Sequence, residues 1–204
     1  YLLSKATGDA STWLVDMKNH AIEVNKKYAL LLNINPSAAI TCVKPSGTVS
    51  QLVSCSSGIH PAYSEYYIRT VRADVKDPLA EFMKDMGFPC EPDVTKPHNT
   101  LVFSFPQKAA KGAVMRDETN AIEQLELYKM YQLHWCEHKP SITVYVKEDE
   151  WIKVGAWVYD NFDYIGGVSF LPFSDHTYAQ APYQPCTKEE YEAAQAAMPK
   201  EIYW

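Results

Sequence analysis

Ala39-Ile40-Thr41-Cys42-Val43-Lys44-Pro45-Ser46-Gly47-Thr48-Val49-Ser50-Gln51-Leu52 joins a short β-branched apolar run to a Pro-Ser-Gly-Thr turn and the start of a helical pattern. Residues 40–43 read as a buried strand, because branched side chains suit a pleated, covered surface. Gly47 lets the backbone approach a ligand closely, and Ser46, Thr48 and Ser50 supply hydroxyls. The first N–H groups of the following helix have no intrahelical partner and carry partial positive charge. Strand, tight turn and helix N-terminus together suit a phosphate or other anion. The Gly-Lys-Thr/Ser of a Walker loop is absent, and Lys44 precedes the turn instead of sitting inside it. By local chemistry alone, such a turn is more often an ordinary strand–helix connection than an anion site.

Working outward, the pattern alternates. Leu14, Met17, Ala21, Val24, Tyr28 and Leu31 form an amphipathic helical stripe, with Asp9 or Ser11 as cap, ended by Asn35-Pro36. After the turn, a helix of a few turns closes near Ser57-Gly58. Tyr66 to Val71 is extended, and Asp77-Pro78 opens a short helix that Gly87 stops. Leu101 to Phe105 is a strand ending at Pro106, and Lys108 to Asp117 a polar surface excursion. A helix from Thr119 to Glu137 leads to the strand Ser141 to Val146. A further helix, about Glu148 to Phe162, presents Trp151, Gly155, Val158 and Phe162 on one face. The strand Gly167 to Leu171 follows, and Thr187 with Glu190 makes a capping box for the last helix. Strands apolar on both faces imply a parallel sheet covered by helices, an α/β architecture. Ligands in such folds gather at strand carboxyl ends, where the 45–50 turn lies.

Composition sets bounds. The chain has 204 residues, 47% of them hydrophobic, with 14 Tyr, 7 Phe and 5 Trp, enough for a sizeable core. A net charge of −6 argues against a nucleic-acid backbone as partner, though not against a nucleotide held by one local loop. No run reaches the ~18 apolar residues of a membrane span. Cys42, Cys55, Cys90, Cys136 and Cys186 include no Cys-x-x-Cys pair and read as reduced, buried thiols of a cytosolic protein. A start at Tyr1 and a stop at Trp204 suggest a segment of something longer.

Other constellations favour plain roles. His60, in Gly58-Ile59-His60-Pro61, reads as a hydrogen-bonded structural histidine. His134 and His138 have i, i+4 spacing, but Glu137 adjoins the second His where a zincin needs His-Glu-x-x-His, so no metal is assigned. Asp175 and His176 are sequence neighbours without a nucleophile, hence a loop contact and not a triad. Arg69 and Arg72 have the charge to steer anions but by default pair with carboxylates.

Taken in order, several motifs resemble the catalytic subunit of ribonucleotide reductase. They are Cys42 to Leu52, Ser57-Gly58-Ile59-His60-Pro61, Tyr67-Ile68-Arg69-Thr70-Val71-Arg72, and Asn99 to Pro106. The likeness continues through His134 to Ser141, Gly167 to Pro172 and Asp175 to Tyr183. It is nearest the adenosylcobalamin-dependent class II enzymes of the ribonucleoside-triphosphate type. The resemblance implies the C-terminal part of a ten-stranded α/β barrel, strands alternating with helices, filling residues 1–204 without a second domain. It implies reduction of the ribose 2′-hydroxyl by radical chemistry, with adenosylcobalamin as cofactor and a thioredoxin or glutaredoxin-type reductant. Carried over to this sequence, the substrate-phosphate role falls on Pro45, Ser46, Gly47, Thr48, Val49 and Ser50. The family's radical cysteine stands in an Asn-x-Cys-x-Glu motif that no segment here matches, so none of the five cysteines is assigned a catalytic role. The missing amino-terminal portion of the barrel is then an expected partner. Two alternatives are a separately encoded partner chain of a split reductase and a stand-alone phosphate-binding module.

Overall fold

The computed structural model describes residues 10–47, 49–174 and 178–203. The chain forms two compact units, Tyr1–Ala62 with Gly112–Ser174, and Tyr63–Lys111 with Asp175–Trp204.

The first unit holds α1 (Ala10–Leu32), α2 (Val49–Leu52), α4 (Ala121–His134), β4 (Thr143–Val146), α5 (Trp151–Asp160) and β5 (Ser169–Pro172). Asn120 caps α4: its side chain accepts from the Glu123 amide, and the Glu123 carboxylate accepts from the Asn120 amide. Glu150 performs a similar task deeper in, its buried carboxylate accepting from the amides of Ala121 (3.1 Å) and Lys147 (2.8 Å). β4 and β5 pair in parallel, with α5 between them in sequence as the crossover such a pair needs. The core gathers Leu125 and Tyr128 of α4, Val144 and Val146 of β4, and Val154 and Trp157 of α5.

Three expectations are corrected in this unit. The helix after the 45–50 turn has four residues rather than a few turns. Ser54 enters the left-handed region at φ 53°, and the Ser-Cys-Ser-Ser-Gly run that follows competes with helical hydrogen bonding. In α5 the buried residues are Val154 and Trp157, whereas Phe162 lies beyond the helix and is 71% exposed. On α1, which packs on α4, Leu14 and Ala29 are buried while Met17, Val24, Tyr28 and Leu31 of the anticipated stripe face solvent. Asp9, one of its two expected caps, lies outside the described residues, and Ser11 falls inside the helix.

The second unit contains β1 (Tyr66–Asp74), α3 (Pro78–Asp85), β2 (Cys90–Pro92), β3 (Thr100–Lys108), β6 (Tyr183–Pro185) and α6 (Lys188–Ala196). Its sheet has the order β2-β3-β1-β6 and is antiparallel at every junction, not part of a parallel sheet as anticipated. β3 also runs through Pro106 instead of ending there. Ser104 sends its amide toward Pro89 on the β2 side, and Pro106 shares its parity. The N–H that proline lacks thus falls where β2, paired only to residues 101–103, no longer reaches. Asp77 caps α3 with Pro78 first, and Gly87 follows its end at φ 83°, as the sequence predicts. Thr187 and Glu190 form the expected capping box of α6.

Candidate functional site

The buried strand expected at residues 40–43 is not formed: they join no ladder, and Cys42 is exposed; side-chain and backbone hydrogen bonds tie them instead to the stretch after α4. The Glu137 carboxylate accepts from the amides of Ile40 (2.8 Å) and Thr41 (3.1 Å) and from the Thr41 hydroxyl (3.2 Å). Those donors favour the ionised form and hold its pKa below the ordinary carboxylate value. The Thr41 hydroxyl also donates to the Trp135 carbonyl, and the Trp135 indole donates to that of Cys42. Further on, the Ser141 amide donates to the Val43 carbonyl (2.9 Å), and the Lys44 ammonium to that of Lys139 (3.0 Å). This register brings the 45–50 turn beside residues 141–143, at the amino end of β4.

Inside the turn the hydroxyls are organised. The Ser46 hydroxyl accepts from the Ser50 amide (3.0 Å), the Ser50 hydroxyl donates to the Ser46 carbonyl, and Ser50 is buried. The Ser46 amide donates to the Ser57 hydroxyl at 2.8 Å. Pro45, Gly47 and Val49 are exposed, and a Cβ at Gly47 would meet nothing within 4 Å. Thr48 lies outside the described residues.

Pro45 borders a cleft of about 410 Å³ whose walls include His60, Lys139, Ser141, Thr143 and Ser169. No carboxylate lines it among the described residues, so Lys139 brings positive charge without a paired anion in the wall. One rim is the Gly166–Gly167 turn, where the Tyr128 hydroxyl accepts from both amides (3.0 and 3.4 Å). Gly166 leaves room for Lys139: a Cβ there would sit 3.0 Å from the lysine Cβ. Such a space can seat an anionic group of nucleotide size. It is too small to enclose a corrin ring with its nucleoside.

His60 is the structural histidine that the sequence suggests. Its Nδ1 lies 2.7 Å from the Ser57 carbonyl, and its Nε2 accepts from the Thr143 amide at 2.9 Å. His134 closes α4 while His138 lies past it and is exposed. Among the described residues no three His, Cys, Asp or Glu side chains cluster as metal ligands. Of the five thiols expected to be buried, Cys42 and Cys55 are exposed and Cys90 and Cys186 half-buried; Cys136 is buried, and burial pushes its thiol pKa up, away from the reactive thiolate. In the second unit, Arg72 pairs with Asp93 at 2.7 Å, and the Thr95 hydroxyl and this guanidinium hold the Asp93 carboxyl far below the usual carboxylate range. Arg69 instead covers the Tyr183 ring and donates to the Pro182 carbonyl. Asp175 and His176 lie outside the described residues. Sequence reasoning missed Ser57, Lys139 and the Gly166–Gly167 rim, since each meets the turn or cleft through tertiary contacts with no local signature.

No protein-family profile matches the chain. The adenosylcobalamin-dependent ribonucleoside-triphosphate reductase of Lactobacillus gasseri is 34% identical over 177 residues, 85% of this chain and 24% of that protein. The protein of the same name from Euglena gracilis is 29% identical over 197 residues, 95% of this chain and 27% of that protein. A crystal structure of a B12-dependent (class II) ribonucleotide reductase matches with a TM-score of 0.81 at 27% identity, over 95% of this chain and 27% of that one. The chain spans about a quarter of the length of the relatives it matches. In sequence and backbone shape it is homologous to one such segment of the adenosylcobalamin-dependent, class II ribonucleotide reductases.

Proposed function

We propose that this chain is the substrate-phosphate segment of an adenosylcobalamin-dependent ribonucleoside-triphosphate reductase, an oxidoreductase that makes deoxyribonucleotides. Residues Pro45, Ser46, Gly47, Thr48, Val49 and Ser50 hold the phosphates, and Lys139 supplies charge from the cleft wall. The observation that carries this reading is the turn itself: the Ser46 and Ser50 side chains are spent on its own shape, Gly47 stays open, and Pro45 borders a cleft with no carboxylate among the described residues. An uncovered glycine lets a phosphate approach the backbone closely.

In this reading β4 and β5 are strands of a ten-stranded barrel whose other strands come from the remaining portion of the fold. The exposed apolar side chains of α1 support that arrangement. Adenosylcobalamin, when bound by the complete enzyme, supplies the radical that starts reduction. This chain's residues bind and orient the substrate, and the radical cysteine, the reducing thiols and their thioredoxin or glutaredoxin-type partner act from elsewhere. No helix among the described residues is long and apolar enough to cross a membrane, in keeping with cytoplasmic work.

Gly47→Asp tests the reading. A side chain at Gly47 meets open space, so the fold tolerates the change while a carboxylate repels phosphate. In the complete assembly, ribonucleotide affinity should fall at least about a hundredfold on that repulsion, with thermal stability kept. Unchanged ribonucleotide affinity would overturn the assignment.

A further inference from the structure

We infer that Ser57 and His60 are positioning residues of the phosphate-binding turn, an inference that rests on the phosphate reading of residues 45–50. Neither touches the open face of Gly47; both act through the backbone that carries it. The Ser57 hydroxyl accepts from the Ser46 amide at 2.8 Å, fixing the entry of the turn. The Ser57 carbonyl in turn receives the His60 amide (3.1 Å) and lies 2.7 Å from its Nδ1. A carbonyl only accepts, so Nδ1 carries the proton. The Thr143 amide only donates, so Nε2, at 2.9 Å, offers a lone pair. The ring is thereby set in one neutral tautomer, with both nitrogens used.

The result is a continuous clasp, Ser46 to Ser57 to His60 to Thr143, from the turn to the first residue of β4. Two neighbours fix where the clasp stands. Ile59 is buried in the core of the unit, and Gly58, at φ 57°, sits so close to the 43–44 backbone that a Cβ would lie 3.3 Å from the Lys44 carbonyl oxygen. Residues 57–60 are therefore anchored to the core on one side and to the turn on the other. Since β4 and the Lys139 wall share the cleft, the clasp sets the distance between the turn's amides and the cleft's charge.

Titration calorimetry of tripolyphosphate and ATP on the complete assembly tests this, with Gly47→Asp as reference. Ser57→Ala and His60→Ala should each weaken both probes about tenfold, the worth of one lost positioning bond. Ser57→Thr, which keeps the hydroxyl, and His60→Gln, whose Oε1 can reach the Nε2 position, should restore affinity to within about threefold. Amide exchange at Ser46 should accelerate in Ser57→Ala and not in Ser57→Thr, which reads the clasp even where His60→Ala fails to fold. If Gly47→Asp abolishes binding while Ser57→Ala and His60→Ala bind as the parent does, the positioning role is wrong and the phosphate reading stands. If the parent itself binds neither probe, both fall together.

Discussion

Replacing Tyr128 by Phe isolates one hydrogen-bonding group at the rim of the cleft. Tyr128 is fully buried on α4, and its ring packs in the core shared with β4 and α5. Phe keeps that ring and its contacts, so no cavity larger than an oxygen arises. What is lost is the acceptor of the Gly166 amide at 3.0 Å, with a weaker contribution from Gly167 at 3.4 Å. A fully buried orphaned donor costs about 1–3 kcal/mol. Gly166 is exposed and Gly167 half-buried, so water can replace part of the loss, and the low end, about 1 kcal/mol, applies here. That energy corresponds to roughly a fivefold loss of protection at these two amides. Amide hydrogen exchange with residue resolution is the assay, since it reads the turn itself. Leu125→Ala on the same helix is the contrast: it should cost about 2–5 kcal/mol by cavity formation and loosen the whole unit. The reasoning is refuted if Tyr128→Phe leaves exchange at Gly166 and Gly167 unchanged, or if it loosens the β4–β5 core as broadly as Leu125→Ala does.

Two further outcomes follow from the same geometry. Glu137 is ionised against a lowered pKa, so its contribution is fully present above its ordinary value of 4.5 and fades as pH falls through the lower, folded-state value. Melting temperatures measured from pH 7 down to pH 3 should therefore drop less steeply in Glu137→Gln than in the parent, and parallel curves would count against the lacing of residues 40–41. Gly58→Ala forces a side chain into the left-handed region and to 3.3 Å from both the Lys44 carbonyl oxygen and Val43 Cγ1. Chemical denaturation should show a loss of about 1–2 kcal/mol from the backbone conformation alone, and a neutral result would mean that the 57–60 turn can relax.

What could be read ahead in the sequence was what local chemistry decides. Asp77-Pro78, Thr187 with Glu190, and Gly87 announce helix ends because a cap satisfies its own neighbours, whatever the rest of the chain does. The parallel pair β4–β5 was legible from strands apolar on both faces. β2 and β6 were not, being three residues each and containing prolines, too short for any period to register. Direction within the second sheet was hidden for another reason: the alternation that marks a strand is the same whether its neighbour runs parallel or antiparallel. At the site, the Pro-Ser-Gly-Thr turn stood out by composition. Its supports did not, because Ser57, Glu137 and Lys139 are ordinary surface residue types whose roles come from partners brought near by the fold.

The α1 helix shows how the same limit bears on function. Its packed residues, Ala10, Leu14 and Ala29, with Ala21 and Asn25 half-buried between them, trace one line along the helix. Met17, Val24, Tyr28 and Leu31 recur at intervals of seven, four and three and trace a second line, which solvent reaches at 46%, 38%, 55% and 68% of each residue. The two lines lie side by side on the helix, one apolar face broader than a single neighbour covers, so the face has room for two packing layers. One layer is α4, within this unit. No described residue forms the other, and the chain matches about a quarter of its relatives' length. The exposed line is therefore a surface suited to a further packing partner. The prediction it makes is specific: Met17→Glu or Leu31→Glu should leave this unit folded and spoil only its union with the rest. A variant that unfolds the unit instead would place these side chains in its own core and end the argument.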